Sequence, residues 1–422
     1  MRLSPFSPYL PRYPGPHSVG TIELEVSVPG SLQRSFGETG VRTLLVRLFY
    51  PTGQRSGRRP RWTGSGNYTM RGYARFLGLR EGLLRAASYL GLKWTEIPAL
   101  SDAPLADPST AATWPCMLFS HGLGGTRNAY SQISGSIASD GVVVMAIEHR
   151  DSSAAISVVR PDGEEGGRGE EEVVEYVSIR DATAANIERR RHQMAQRAYE
   201  VRLGLELLRC LNDPHAPSIF PSLRGGDDHD DRTTAPLASF AARLDAGHGR
   251  VLVGGHSFGA ATAVNCAKDT TTRLPSDGPD FELKASFRAL VLLDVWTEVL
   301  ADSAAVPLAL PTLSIASQAF QRWSGNWTAV TRLMKANKRA DASLSVWVRG
   351  SAHLSQSDFG LLFPTATRYA FKAEIDPHRA MDLNVRAVRE FLRRCGLLGP
   401  EQPVDEDIFS GREQELVVES LT

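Results

Sequence analysis

No apolar run in the 422-residue chain approaches the about 18 residues that a bilayer span needs. The longest, such as Val142 to Ile147, are strand-sized, so no membrane-spanning helix is expected. Charge of one sign is not in excess either. Forty-seven Lys and Arg face forty-seven Asp and Glu, which leaves no overall basic field to steer nucleic acid or an anionic membrane toward the chain. Cysteine is scarce: Cys116, Cys210, Cys266 and Cys395 form no C-x-x-C pair and sit beside apolar residues, as in a reducing, cytosolic setting. The first twenty residues hold no apolar stretch of the kind a secretion signal needs, and Arg2 stands where N-myristoylation requires glycine. Cytoplasmic localisation is the resulting expectation.

What is present is an ordinary globular composition, 42% hydrophobic and 22% charged, which is enough to build a large core without covalent staples. Residues 1–20 contain five prolines and read as an extended lead-in. Thr21 to Val28 alternates apolar and polar residues and Val41 to Tyr50 is rich in branched and aromatic ones, so both read as strands of a half-exposed antiparallel edge. Short apolar runs follow at Met117 to Ser120, Val142 to Ile147, Val251 to Gly254, Leu290 to Asp294, Thr312 to Ala316 and Ser345 to Arg349. Helical periodicity fills the spaces between them at Asn128 to Ser139, Asn186 to Leu211, Ala260 to Lys268 and Ala319 to Lys335, and a closing helix spans Asn384 to Arg394. This alternation predicts an α/β protein with a mostly parallel central sheet flanked by helices and antiparallel strands at its N-terminal edge. One catalytic domain over 21–397 is expected, with polar insertions at 161–175 and 223–249 and a C-terminal tail at 398–422.

Gly255-His256-Ser257-Phe258-Gly259 stands between a strand and a helix, the setting that G-x-S-x-G requires to act as a nucleophile elbow. The turn forces strained angles on the serine, and Gly255 and Gly259 remove Cβ atoms that would collide there. A serine hydroxyl needs a histidine base and a carboxylate to orient it, and in α/β-hydrolases these follow in the order Ser, Asp or Glu, His. Only His353 and His378 lie downstream of Ser257. His353 follows a strand through a short turn and is the better base, whereas His378 sits in DPHRA, a turn signal without a preceding strand. For the carboxylate, Asp294 ends the strand after the elbow helix; Asp302 and Asp358 are rivals, the first beyond the strand and the second in the wrong chain order. Acyl transfer also needs two amides for the oxyanion. Phe258 supplies one, and Leu123, in the Gly-rich loop Ser120 to Gly125, is the candidate for the other.

The blocks FSHGLGGTRNAYSQISGSIASDGVVVMAIEHRD, VLVGGHSFGAATAV, LVLLDVW and VRGSAHLSQSDF, with VRTLLVRLFYP and YTMRGYARFLG, resemble the platelet-activating factor acetylhydrolase family, in family order from about residue 41 to 397. The resemblance implies an α/β-hydrolase fold and a calcium-independent esterase of the phospholipase A2 type. Such an enzyme removes acetyl, short or oxidised sn-2 acyl chains from phospholipids, as a 1-alkyl-2-acetylglycerophosphocholine esterase, without metal or organic cofactor. It also implies Ser257 as nucleophile, Asp294 as orienter and His353 as base, with oxyanion amides at Leu123 and Phe258. Leu354 stands where the family often has glutamine. Alternatives are a general carboxylesterase or lipase acting on simple or neutral esters, and a silent scaffold that binds lipid or a partner without turnover.

The remaining signals are weaker. His149-Arg150-Asp151 spells a kinase-like triplet without the asparagine that should follow it, and reads as a structural loop near the active rim. The run Asp227 to Arg232 reads as a solvated charged loop. Tyr73 to Trp94 mixes apolar and basic residues, and Tyr73, Phe76, Leu77, Leu84 and Trp94 are candidates for transient contact with a lipid surface, against packing of the same stripe on the sheet. The expected partner is a phospholipid substrate rather than nucleic acid.

Overall fold

Short apolar runs become strands here because both faces of the sheet they form are covered. The computed structural model of the chain describes residues 8–64, 67–82, 91–108, 112–160, 170–179, 183–213, 215, 220, 223–225, 234–268, 271–272, 283–284, 286–303, 306–399 and 404–421. The main sheet contains β1 (Ser18–Ser27), β2 (Thr43–Thr52), β3 (Trp114–Ser120), β4 (Val143–Glu148), β5 (Leu252–His256), β6 (Leu290–Leu293), β7 (Thr312–Ser317), β8 (Leu344–Val348) and β9 (Leu416–Glu419). Their spatial order is β1, β2, β4, β3, β5, β6, β7, β8, β9, with the short strand Leu223–Gly225 outside β1. From β4 to β8 neighbours are parallel. Antiparallel pairs occur at β1 with β2 and β2 with β4 at one side, and at β8 with β9 at the other. This is the expected α/β-hydrolase architecture. Among the described residues no helix is long and apolar enough to cross a membrane.

The helices are α1 (Asn67–Leu77), α2 (Ser131–Ser139), α3 (Ala184–Asn212), α4 (Phe258–Lys268), α5 (Ser324–Lys335) and α6 (Pro377–Arg394), with shorter turns between. Strand alternation divides the core in two. Met117 and Phe119 of β3 pack with Ile133 and Ile137 of α2 and Leu383 and Val388 of α6. Cys116 and Leu118 of the same strand face Val201 and Leu205 of α3 and Ala260 and Val264 of α4. Gly204 lets α3 come this close, since a Cβ there would lie 3.1 Å from Ile147 Cδ1.

Three sequence expectations are corrected. The helix predicted over Ala319 to Lys335 is broken at Trp323 (φ −78°, ψ 84°) into Gln318–Arg322 and α5, because Ser324, Gly325 and Asn326 favour a new start over continuation. DPHRA is no turn but the start of α6: the Asp376 carboxylate accepts from Arg379 N at 3.0 Å and Pro377 fills the first helical position. Finally, β1 is neither an edge nor half-exposed. Leu223–Gly225 pairs outside it, and Glu23 and Glu25 are both buried. Arg47 and Arg127 donate to Glu23 at 2.5 and 2.6 Å, and Arg150 donates to Glu25 at 2.7 Å. Alternation reports which residues share a face, and here arginines rather than water meet the polar one. The C-terminal residues likewise do more than trail: β9 closes the second edge, and Trp347 Nε1 donates to Glu419 Oε1 at 2.8 Å.

A second polar cluster lies under the end of β3. His149 Nδ1 is 2.5 Å from Glu200 Oε2, and its Nε2 is 2.7 Å from Ser120 Oγ, all fully buried. Burial holds His149 well below its ordinary value and pushes Glu200 up to about 7. The native state therefore holds the Glu200 proton more tightly than the unfolded chain, where the group titrates near 4.5. Its stabilising contribution is complete below that lower value and is lost as pH rises through about 7. The thermal midpoint is expected to fall between about pH 5 and about pH 8, and Glu200→Gln, which keeps a neutral donor toward His149, is expected to lose part of that fall. An unchanged pH slope in the variant would remove Glu200 as its source.

Candidate active site

At the end of β5 the chain turns into α4 through a single residue, Ser257, whose φ is 57°. L-residues rarely adopt this left-handed conformation, at a cost of about 1–2 kcal/mol. Two glycines make the turn sterically possible. A Cβ on Gly259 would lie 2.0 Å from the Ser120 carbonyl oxygen, and one on Gly255 would lie 2.5 Å from the same atom and from Gly259 C. The start of α4 thus rests directly on the backbone of β3.

The next strand ends beside this elbow. Ser257 N donates to Leu293 O at 2.8 Å, and Asp294, the residue after β6, also has a positive φ, 44°. Its buried carboxylate meets His353 Nδ1 at 2.8 Å. Ser317, at the end of β7, holds that carboxylate from the other side, its N at 2.5 Å and its Oγ at 2.6 Å. The Ser317 hydroxyl also accepts from Phe320 N at 3.2 Å, so one residue both caps the helix Gln318–Arg322 and fixes Asp294. Nδ1–H of His353 donates to the carboxylate, which leaves Nε2 as the basic nitrogen.

Leu123 packs against the core cluster that contains Phe258. Among the described residues nothing accepts from either amide, whereas Gly124 N donates to Ser153 O at 2.8 Å and Gly125 N to Gly122 O at 3.1 Å. Phe258 is the first residue of α4, where backbone donors have no partner within the helix.

Tyr130 and Phe320, outside the G-x-S-x-G motif, also shape the site. His256 Nδ1 accepts from Tyr130 Oη (2.8 Å), Tyr130 Oη accepts from Gly122 N (3.2 Å), and His256 Nε2 donates to the His353 carbonyl (3.2 Å). This chain of bonds requires a neutral His256, and burial first, then proximity to His353, depresses its basicity well below the ordinary value. The His353 ring is held on both sides, with His256 at 4.2 Å and Phe320 stacked at 4.4 Å and 8°. Below the rim, the buried Arg197 guanidinium donates to His121 O at 2.7 Å and to Asp151 at 2.8 Å, and lies 4.4 Å from the Phe258 ring centre. Asp151 thus serves a structural loop near the rim. Ligand atoms of His256, Asp294 and His353 lie within 4.8 Å of one another, a spacing that a metal ion could use. The bonds already named account for that spacing.

The rivals are elsewhere. Asp358 caps α2, accepting from Ser131 N, Ser131 Oγ and Gln132 N, and from Trp62 Nε1 at 2.8 Å. His378 lies in the first turn of α6 beside Tyr9, and Asp302 in the turn Glu298–Ser303. Of the candidates for lipid contact, Tyr73 is corrected: it is buried, stacked on Trp62 at 6.0 Å and edge-on to Phe359 at 5.3 Å, because the inner stripe of α1 packs on this aromatic cluster. Phe76, Leu77 and Trp94 are exposed, while Leu84 lies outside the described residues, as does the run Asp227 to Arg232.

Residues 5–412 match the family described as platelet-activating factor acetylhydrolase, isoform II. A putative phospholipase A2 from Schizosaccharomyces pombe is 32% identical, with 91% of each chain covered. The platelet-activating factor acetylhydrolase of Cavia porcellus is 28% identical over 97% of this chain and 83% of that protein, and that of Gallus gallus 26% over 91% and 83%. Among solved structures, a ferulic acid esterase from Streptomyces cinnamoneus superposes with a TM-score of 0.59 at 18% identity, covering 98% of this chain and all of the other, a likeness of fold alone.

Proposed function

Because this chain belongs to the platelet-activating factor acetylhydrolase, isoform II, family, and is a lipid-ester hydrolase with it, we propose that it cleaves the sn-2 ester of phospholipids bearing an acetyl, short or oxidised acyl chain, using Ser257, His353 and Asp294. The observation that carries the reading is the 2.8 Å pairing of His353 Nδ1 with the buried Asp294 beside an elbow serine. The names of the relatives support the choice of phospholipid as substrate.

His353 Nε2 takes the Ser257 Oγ proton as the oxygen attacks the sn-2 carbonyl carbon. Negative charge then forms on the carbonyl oxygen, where the Leu123 and Phe258 amides donate to it, an arrangement worth about 3 kcal/mol per donor. The tetrahedral intermediate collapses, the bond to the glycerol oxygen breaks, and that oxygen leaves with the proton from His353. Water repeats the sequence on the acyl-enzyme and restores Ser257, with Asp294 stabilising the imidazolium in each half. Amide donors supply the charge stabilisation throughout, so turnover is expected to persist when calcium is chelated.

The test compares a short sn-2 acyl phosphatidylcholine with its long-chain counterpart in excess chelator, with a simple p-nitrophenyl ester as a third substrate. The short chain alone should turn over among the phospholipids. Cleavage of the simple ester with neither phospholipid touched would leave a general esterase and overturn the phospholipid assignment.

A further inference from the structure

Charge balance over the whole chain conceals a local excess. On the flank formed by residues 55–61 and the proline-rich lead-in, a cleft of about 640 Å³ is lined by Arg12, Arg55, Arg58, Arg59 and Arg61, with Glu96 the one acidic residue among the described residues that line it. Two of these arginines have carboxylate neighbours: Arg58 lies 3.5 Å from Asp102, and Arg61 lies 3.3 Å from Glu96. Arg12, Arg55 and Arg59 are exposed and make no ion pair or hydrogen bond among the described residues. Like charges gathered without counter-charges repel one another, and such a cluster is stabilised by an anion that bridges them. A guanidinium offers paired donors that match phosphate oxygens, and a cleft of this size has room for more than one phosphate.

The adjoining surface carries an exposed tryptophan among basic side chains. Arg61 reaches out of the cleft to the adjoining surface, where its Nη1 donates to Trp94 O at 2.7 Å and its guanidinium lies 5.3 Å from the Trp94 ring centre. Lys93 lies over the same ring at 5.7 Å, and Trp94 is 43% exposed. Exposed tryptophan beside basic residues is the pairing found at the level of lipid headgroups, the ring among the upper acyl carbons and the cations among the phosphates. The next residue after Arg61, Trp62, carries α1 through Tyr73, and the outer side of that segment exposes Phe76, Leu77 and Leu79.

We infer that this cleft binds the headgroup of an anionic phospholipid carrying more than one phosphate, and so docks the protein on a membrane at a place separate from the ester-cleaving site. A zwitterionic headgroup would leave most of the arginine charge uncompensated; a polyphosphorylated one would not.

The experiment is co-sedimentation of the full chain with vesicles of phosphatidylcholine alone or of phosphatidylcholine containing a phosphatidylinositol bisphosphate, comparing wild type with Arg55→Glu/Arg59→Glu. The readout is binding, so it stands whether or not the esterase reading holds. Circular dichroism and the thermal midpoint show that the double variant is folded; Arg55→Gln/Arg59→Gln replaces it if it is not. The wild type should prefer the bisphosphate vesicles roughly tenfold or more, the preference should weaken as salt rises, and the double variant should lose it. Equal binding to both vesicles, or full preference retained in the folded variant, would overturn the inference. Saturable binding of inorganic pyrophosphate without vesicle binding would overturn the lipid assignment by making the site one for a soluble polyphosphate.

Discussion

Ser257→Ala is expected to lower ester turnover by roughly 10⁴- to 10⁶-fold and to abolish labelling by a fluorophosphonate, with the fold intact. The fold should survive because the elbow backbone, with φ of 57°, is already held in the left-handed region with a Cβ in place, and alanine adds no atom to it. A second substitution separates chemistry from conformation. Ser257→Gly should be equally inactive yet melt higher than the alanine variant, by the equivalent of about 1 kcal/mol, since glycine adopts this φ without strain. Turnover that survives in Ser257→Ala would remove the serine from the mechanism. A glycine variant no more stable than the alanine one would show that the elbow stores no strain.

Gly259→Ala is expected to do the opposite, damaging the fold before it touches the chemistry. The added methyl would meet the Ser120 carbonyl oxygen at 2.0 Å, its carbon at 2.5 Å and the His121 oxygen at 2.7 Å. All three are backbone atoms of β3 and the loop after it, so no side-chain rotation relieves the contact and α4 must lift from the sheet. A loss of about 3 kcal/mol or more follows from overpacking of this kind, enough to deplete soluble protein at growth temperature. Gly30→Ala is the control, because a methyl there meets nothing within 4 Å, and its denaturation midpoint should shift by no more than about 0.5 kcal/mol equivalent. Soluble yield and denaturant midpoints of the two variants decide the matter.

The parts of this molecule that were legible in its sequence are those whose physics is local. Strands buried on both faces leave short apolar runs, and the elbow writes its steric demands into five adjacent residues, with His353 and Asp294 found by asking which groups end strands on the same side. Contacts between distant segments leave no such mark. Tyr130 reaches His256 across 126 positions, and Asp358 caps α2 from 227 positions away. Ser317 and Phe320 look like an ordinary helix start, and nothing in the residues around Arg197 announces that its guanidinium supports both Phe258 and the His121 carbonyl. Glu23 and Glu25 were misleading for a related reason: pattern identifies a polar face, while only the folded chain decides whether water or arginine covers it.

In the proposed mechanism, the packing around His353 bears on how the base stays ready between turnovers. An imidazole turns readily about its outer torsion, which has two broad minima related by half a rotation, and in the wrong one it presents carbon where a nitrogen should face the serine. Such an error would leave a correctly folded but idle catalyst. With Phe320 lying flat on one side and His256 on the other, that half-turn would sweep the ring through both neighbours, and it would also break the bond to Asp294. Under the proposed mechanism, fidelity over many cycles rests partly on these two side chains, Phe320 and His256.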